Sequence, residues 1–588
     1  MGATVSRIWS GHASIPSQII ETKSGFVQGK TFILVDGCEV DAFLGIPFGK
    51  PPIGELRFKK PEPSEKWDGV LDCTQFGPRC PHEDNIFERF TMEAMLLVKS
   101  EDCLRLNVFA PTWHPDSGQK NGFAVMVWIH GGGYAVHSGA HYGDYNICQA
   151  LCTKNVIVVS INYRLGFFGF LSTGDENAPG NFGLWDQTLA LKWVKDNISA
   201  FGGDPENITI FGQSAGGASV DFLTLSPHSR DLFQKVVSMA GTACCDFALN
   251  SAEHVKEACL DYAIRLGFQP LDNASNFEQN KALVEFFRSI PPHKLELVLL
   301  GKPKYRTTRS EWLDLTPVID GDFLPKPIED LRKEVPKKQI MTGVTKCEGL
   351  LFVLLRPPRG SYEFEIDRLV TKTLTKRRVQ NHKEAKKKIL EMYYTGIDPT
   401  SRRQLVRMGI KAVSDAVMNI GVWEYADQMA QLDHTVYLYN FEYAVSDAVM
   451  NIGVWEYADQ MAQLDHTVYL YNFEYVNPKG FGLLGIVLPF KEATHSSELP
   501  YIFNKGILAN FYPNNDDLKT LEQMTTFWTN FAKYGNPNGK SSENELWKPL
   551  TKEDTLQYLR INLDKTEMCP KFQDVEKLLK ALVPQALV

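Results

Sequence analysis

The chain reads as an α/β protein, a mainly parallel central sheet flanked by helices, and three stretches say so. Residues 123–129 and 156–161 are unbroken apolar runs of strand length, the pattern of strands buried on both faces. Residues 184–194 carry apolar side chains at helical spacing. Ile208-Thr209-Ile210-Phe211, followed by Gly212-Gln213-Ser214-Ala215-Gly216-Gly217 and then Ala218-Ser219-Val220, reads as strand, tight turn and helix. Strand, helix, strand in that order is a crossover unit that ends at Ser214. Residues 339–344 and 467–473 are further strand candidates.

The turn at Ser214 states a chemistry. Glycines on both sides of a serine let strand and helix pack closely while the hydroxyl is held at the tip in a strained backbone conformation, as a nucleophile requires. The pentapeptide is weak evidence alone, so a base, an acid and an oxyanion hole must be found elsewhere. His130-Gly131-Gly132-Gly133-Tyr134 follows the 123–129 strand, where glycine N–H groups can turn toward a developing oxyanion together with that of Ala215. His495 lies in a polar loop after the last long strand, where a Ser…acid…His order puts the base. Glu348 follows the 339–344 strand as a candidate acid, and Asp320 and Asp322 are its rivals; periodicity does not choose among them. His434 and His466 stand before strands and read as structural.

Composition narrows the class. A chain of 588 residues has a length prior of several domains, but α/β folds with long insertions run as one. A net charge of −8 offers nucleic acid no general attraction. No apolar stretch is long enough to span a bilayer. The N-terminus lacks the pattern of a secretory signal, and Met1-Gly2-Ala3-Thr4-Val5-Ser6 fits N-myristoylation at Gly2. Peripheral membrane contact through that one chain would be marginal without a second signal. The basic runs 376–378 and 386–388 are candidates for one, although such runs ordinarily are solvated helix faces. Eleven cysteines cannot all pair within the chain.

Residues 412–443 and 444–475 are identical at every position. Solenoid repeats diverge and need about three copies to bury a core, so the pair reads as a recent exon-sized duplication or a misassembled coding sequence. The block holds an expected helix, 414–431, and a strand, 435–441. Because a sheet slot takes one strand, the second copy is expected to be extruded or to displace something.

The chain resembles the type-B carboxylesterases, the α/β-hydrolase family that includes cholinesterases, from about residue 27 to 563. The likeness rests on stretches in shared order: Leu44-Gly45-Ile46-Pro47-Phe48, Ser100-Glu101-Asp102-Cys103-Leu104, residues 128–134, Asn162-Tyr163-Arg164-Leu165-Gly166, Ala178-Pro179-Gly180-Asn181, Phe201-Gly202-Gly203-Asp204-Pro205, residues 211–217 and Trp528-Thr529-Asn530-Phe531. The resemblance implies a triad of Ser214, Glu348 and His495, an oxyanion hole from Gly132, Gly133 and Ala215, and hydrolysis of small-molecule carboxylic esters through an acyl-serine, with no metal or cofactor. It favours Glu348 as the acid. It also implies one large catalytic domain, residues 21–588, behind a flexible 1–20 segment, with a central mixed sheet and helical insertions.

The departures carry information too. Gln213 stands where the cholinesterase pattern has glutamate, no tryptophan precedes Cys103 in its segment, and Leu351 replaces an aromatic three residues past Glu348. A choline group needs aromatic faces and negative charge, so uncharged esters are expected and acetylcholine is not. Arg105 departs from the family pattern without touching the triad. Cys80 and Cys103 match the family's first disulfide, which a cytosol would keep reduced. The sequence reading is cytoplasmic, with secretion or the endoplasmic reticulum lumen as the alternative, in which case the sequons at Asn197, Asn207 and Asn273 matter. An acyltransferase using the same acyl-enzyme, or a catalytically silent adhesion member of the fold, are the rival functions. Oligomeric state has no signature in the sequence.

Overall fold

The computed structural model describes residues 12–84, 98–299, 313–345, 347–355, 360–376, 382–419, 435–439, 469–473, 475–477, 479–481, 484–507, 509–540, 546–547, 558–561 and 567–569. Gly2, His434 and His466 lie outside them. Fourteen strands form one sheet among the described residues. In chain order they are β1 (Ser14–Thr22), β2 (Gly25–Ile33), β3 (Glu39–Pro47), β4 (Val70–Asp72), β5 (Arg105–Pro111), β6 (Phe123–Ile129), β7 (Val156–Ile161), β8 (Gly203–Gln213), β9 (Lys235–Met239), β10 (Gln339–Gly343), β11 (Thr435–Tyr439), β12 (Tyr469–Phe473), β13 (Tyr558–Ile561) and β14 (Glu567–Cys569). Their spatial order is β1-β2-β3-β5-β7-β6-β8-β9-β10-β11-β12-β13-β14, with β4 beside β2.

Apart from β4, which runs parallel to β2, the ends of the sheet are antiparallel, and its centre, from β7 through β13, is parallel. That division follows from composition. Every residue of β6 and β7 is buried, as their unbroken apolar sequences require of strands covered on both faces, whereas the edge strand β1 is mostly exposed. Helices α1 (Phe182–Asn197) and α2 (Ala215–Leu225) connect consecutive strands, and α2 is buried along its whole length. The insertions contribute α3 (Ala252–Arg265), α4 (Asn276–Ser289), α5 (Gly349–Leu355), α6 (Tyr362–Lys376), α7 (His382–Tyr394) and α8 (Arg402–Ser414) before the long α9 (Asn515–Tyr534). Ser275 and Glu278 form a capping box at the start of α4, and Asn514 and Asp517 do so for α9. No helix among the described residues is long and apolar enough to cross a membrane.

A buried ion pair ties the crossover together. Arg164 Nε and Nη2 donate to Asp186 at 2.8 and 2.7 Å, and Arg164 N adds a third bond to the same carboxylate at 2.9 Å. Fork geometry of this kind fixes orientation as well as energy. It anchors the loop after β7 to α1.

The duplicated block behaves differently from expectation. Both of its strands enter the sheet, as β11 and β12, side by side and parallel. Each residue pairs with its own duplicate: Tyr437 with Tyr469, Leu438 with Leu470, Tyr439 with Tyr471. Two identical strand sequences carry the same period-2 pattern, so a neighbouring slot that suits one copy accepts the second. The expected helix over 414–431 can be followed only at its start. Regular helix α8 ends at Ser414, a π-helical turn follows over Asp415–Asn419, and 420–431 lie outside the described residues.

The front of the first copy and the back of the second both reach the core. Ser414 Oγ accepts from Gly349 N at 2.8 Å, and Tyr393 OH donates to Asp415 at 2.6 Å. At the other end Tyr475 OH donates to Asp517 at 2.7 Å, joined on that buried carboxylate by Tyr501 and Asn477.

Candidate active site

Ser214 sits at the end of β8 with φ 61° and ψ −126°, a region that side chains rarely occupy, and α2 begins at the next residue. Its backbone strain is compensated by close packing that only glycine permits. A Cβ on Gly216 would run into the Ile129 carbonyl oxygen, and one on Gly217 would lie 2.7 Å from the Gly241 oxygen. Ser214 N donates to Met239 O at 2.8 Å, pinning the turn to β9. This is a serine projected at a strand-to-helix elbow.

The glycine loop after β6 lies against it. Gly132 and Gly133 adopt φ 107° and 60°, and a Cβ on Gly131 would stand 3.1 Å from Ser214 Cβ. Ala135 N and Val136 N both donate to Gly132 O, folding the loop back on itself. Behind it, His130 is fully buried, stacks on Tyr163 at 4.4 Å, and is 2.8 Å from the Gly131 oxygen through Nδ1. Burial holds that imidazole well below the ordinary histidine range, so it is a neutral buttress.

Glu348 and His495 come from loops far apart in sequence. Glu348 follows β10 and precedes α5; it is fully buried, accepts from Thr345 N, and stands 2.5 Å from His495 Nδ1. Two backbone links hold the loops together: Cys347 N donates to Ala493 O at 2.9 Å, and Cys347 pairs with Thr494 as an isolated parallel bridge. Asp320 and Asp322, the rival acids, are elsewhere. Asp320 turns its carboxylate to Asp322 N and Leu324 N, and Asp322 pairs with Lys60 and His228.

Ser214, His495, Gly132 and Gly133 line one cavity. No hydrogen bond joins Ser214 Oγ to the imidazole in this geometry, and contacts of that kind commonly tighten only in the Michaelis complex. The remaining wall is mostly apolar, with Phe247, Leu299, Leu313, Leu351 and Phe352 among its members. Val417 and Met418, from the front of the first duplicated copy, line it as well. None of its described lining residues is aspartate, glutamate, lysine or arginine.

Several contributors have no motif in the sequence. The Phe352 ring packs 5.0 Å from His495. His137, at φ 83°, reaches the cavity from the glycine loop. Glu498, three residues past His495, is buried with neither carboxyl oxygen hydrogen-bonded; burial first, and the charge of Glu348 second, push its carboxyl well above the ordinary range. A helical i, i+3 reading of the loop would have found Glu498, whereas Phe352 and His137 depend on tertiary packing alone. Away from the site, Cys80 and Cys103 are joined as a disulfide, and Arg105 bonds Asp102 at 2.7 Å on the flank of the same segment.

A central parallel sheet, a serine at a strand-to-helix elbow, and an acid and a histidine delivered by later loops define an α/β-hydrolase. The chain belongs to the carboxylesterase family, whose profile matches residues 16–446 and 444–578, and it is a carboxylesterase. The two matches meet at the junction of the duplicated copies. Esterase cest-33 of Caenorhabditis elegans is 40% identical over 551 residues, covering 94% of this chain and 91% of the relative. The medium-chain fatty acyl-CoA hydrolase precursor of Anas platyrhynchos is 32% identical, covering 92% and 88%. Mouse (Mus musculus) cholinesterase is 33% identical, covering 94% and 85%.

Proposed function

We propose that this carboxylesterase hydrolyses uncharged carboxylic esters through an acyl-Ser214 intermediate. The observation that carries the reading is the cavity wall: Ser214, the glycine amides and the Glu348-bound His495 meet on a surface whose other described residues are largely apolar and carry no fixed charge. Ser214 Oγ attacks the ester carbonyl as His495 takes its proton at Nε2. Glu348, on Nδ1, keeps the tautomer and stabilises the imidazolium. The oxyanion is met by the N–H groups of Gly132, Gly133 and Ala215. His495 returns the proton to the departing alcohol, and water repeats the sequence on the acyl-enzyme. An apolar wall favours hydrocarbon acyl chains, and a relative that bears the name of a medium-chain fatty acyl-CoA hydrolase precursor is in keeping with that for the acyl side.

Ser214→Ala is the test. It should abolish both hydrolysis of a short-chain p-nitrophenyl ester and labelling by a fluorophosphonate, while wild-type protein that neither turns over nor labels refutes the proposal. Product analysis with an added alcohol separates hydrolysis from acyl transfer.

The bonded Cys80–Cys103 pair supports an oxidising compartment over the cytosol. Natural protein with both thiols free in a non-reducing peptide map would refute that placement. Of the sequons, Asn273 is exposed, whereas Asn197 is buried and its amide donates to Trp193 O at 2.8 Å.

A further inference from the structure

The residue before the nucleophile is a glutamine, and its carboxamide is engaged with the base. Gln213 Nε2 stands 3.3 Å from His495 Nδ1 and 3.2 Å from His495 Nε2. An atom that near to both ring nitrogens cannot lie in the ring plane, because Cε1 sits between them and would be overrun. The amide therefore lies over the imidazole face. The in-plane position at Nδ1 belongs to Glu348 at 2.5 Å.

The far end of the amide is also held. Ser496 Oγ donates to Gln213 Oε1 at 3.1 Å. Ser496 adopts φ 68°, a left-handed conformation that non-glycine residues keep only where surrounding structure demands it. Gln213 is 3% exposed and lies on the cavity wall with Ser214, His495 and Ser496. A fixed donor, the Ser496 hydroxyl, at one end and an imidazole face at the other leave the side chain a single orientation.

We propose that Gln213 is a positioning residue: its neutral carboxamide, braced by Ser496, caps one face of His495 and limits the swing of the ring so that Nε2 stays available to Ser214 in both half-reactions. The proposal rests on the reading of His495 as general base. Glutamate in this place would brace the ring equally well by shape but set a second negative charge against the imidazolium. Glutamine leaves that stabilisation to Glu348. The other groups around the imidazole do not duplicate the effect. Phe352, from α5, is uncharged; Glu498, on the same loop as His495, is held neutral by burial; His137 reaches the shared cavity from the glycine loop.

Three variants test it on the full chain with a neutral aryl ester. Gln213→Glu keeps the shape and adds the charge, so the acid limb of kcat/KM against pH should move up by about one unit. Gln213→Ala should leave the acid limb in place and lower kcat about ten- to a hundredfold with little change in KM, the signature of a misplaced catalytic group. Ser496→Ala should reproduce the Gln213→Ala effect in weaker form. Fluorophosphonate titration counts competent Ser214, so a folding defect appears as fewer sites and not as slower ones. An unmoved acid limb in Gln213→Glu, or full kcat per labelled site in Gln213→Ala, overturns the role of Gln213. Failure of the wild-type protein to label overturns instead the site reading beneath it.

Discussion

Thr494 joins the acid loop to the base loop through one hydroxyl: its Oγ1 donates to Cys347 O at 3.0 Å and accepts from Leu351 N at 3.1 Å. Cys347 immediately precedes Glu348, and Thr494 immediately precedes His495. The 2.5 Å contact between acid and imidazole is thus set by a buried side chain that performs no chemistry. Thr494→Val removes both bonds and leaves the Leu351 N–H buried without its partner, which costs about 1–3 kcal/mol. We expect a lower midpoint in urea and a fall in kcat, with Thr494→Ser restoring both. A valine variant with wild-type stability and kcat would contradict this account.

Gly132 answers a different requirement. Its φ is 107°, and a Cβ there would lie 2.7 Å from His137 Cδ2 and closer still to the Val136 carbonyl oxygen. Gly132→Ala must shift the loop whose amides we propose meet the oxyanion. Loss of one such donor lowers kcat roughly 10²- to 10³-fold. Steady-state kinetics with an aryl ester should show that loss mainly in kcat, and an unimpaired variant would remove Gly132 from the oxyanion hole.

Much of the fold was legible because buried parallel strands are written as unbroken apolar runs; β6, β7 and the β8 elbow fall where the sequence places them. Chain order after Ser214 singled out His495, and family resemblance singled out Glu348 over Asp320 and Asp322; the fold sets those two side chains 2.5 Å apart. The remainder was illegible for physical reasons. Phe352 meets His495, and Ser496 meets Gln213, only after separate loops have docked. The expectation that one sheet slot would reject the duplicate strand failed because in-register copies satisfy each other's ladder as well as a foreign neighbour does.

Glu498 gives the protein a pH-dependent stability with a definite sign. Burial, reinforced by Glu348, raises its folded-state pKa well above the unfolded value of about 4.5. The folded state therefore keeps a proton that the unfolded state releases. This contribution is fully present below about pH 4.5 and is lost as pH rises toward the folded pKa. A glutamine side chain in its place would not titrate, so Glu498→Gln should match wild type near pH 4 and become progressively more stable than it toward pH 8. Urea unfolding at both pH values checks this; a constant difference would mean that Glu498 does not hold its proton.

The duplicated block yields the last prediction. Deleting residues 412–443 or 444–475 gives the same polypeptide, because the copies are identical. Apart from the β11–β12 ladder between the copies, the described contacts of the block with the rest of the chain use positions that a single copy still supplies: Ser414, Asp415, Val417 and Met418 at its front, Tyr475 at its back. The sheet closes equally well. Tyr437 pairs with Met341 on β10, and Tyr471, the duplicate of Tyr439, pairs with Leu559 on β13, so one strand can meet both neighbours in the existing register. The shortened chain also has one strand fewer to order in the sheet, which lowers the entropy cost of folding. We expect it to label fully with fluorophosphonate, to keep kcat within about threefold, and to melt at or above the temperature of the full chain. A single-copy protein that is folded but unlabelled would show that the second strand is needed to deliver His495 to Ser214.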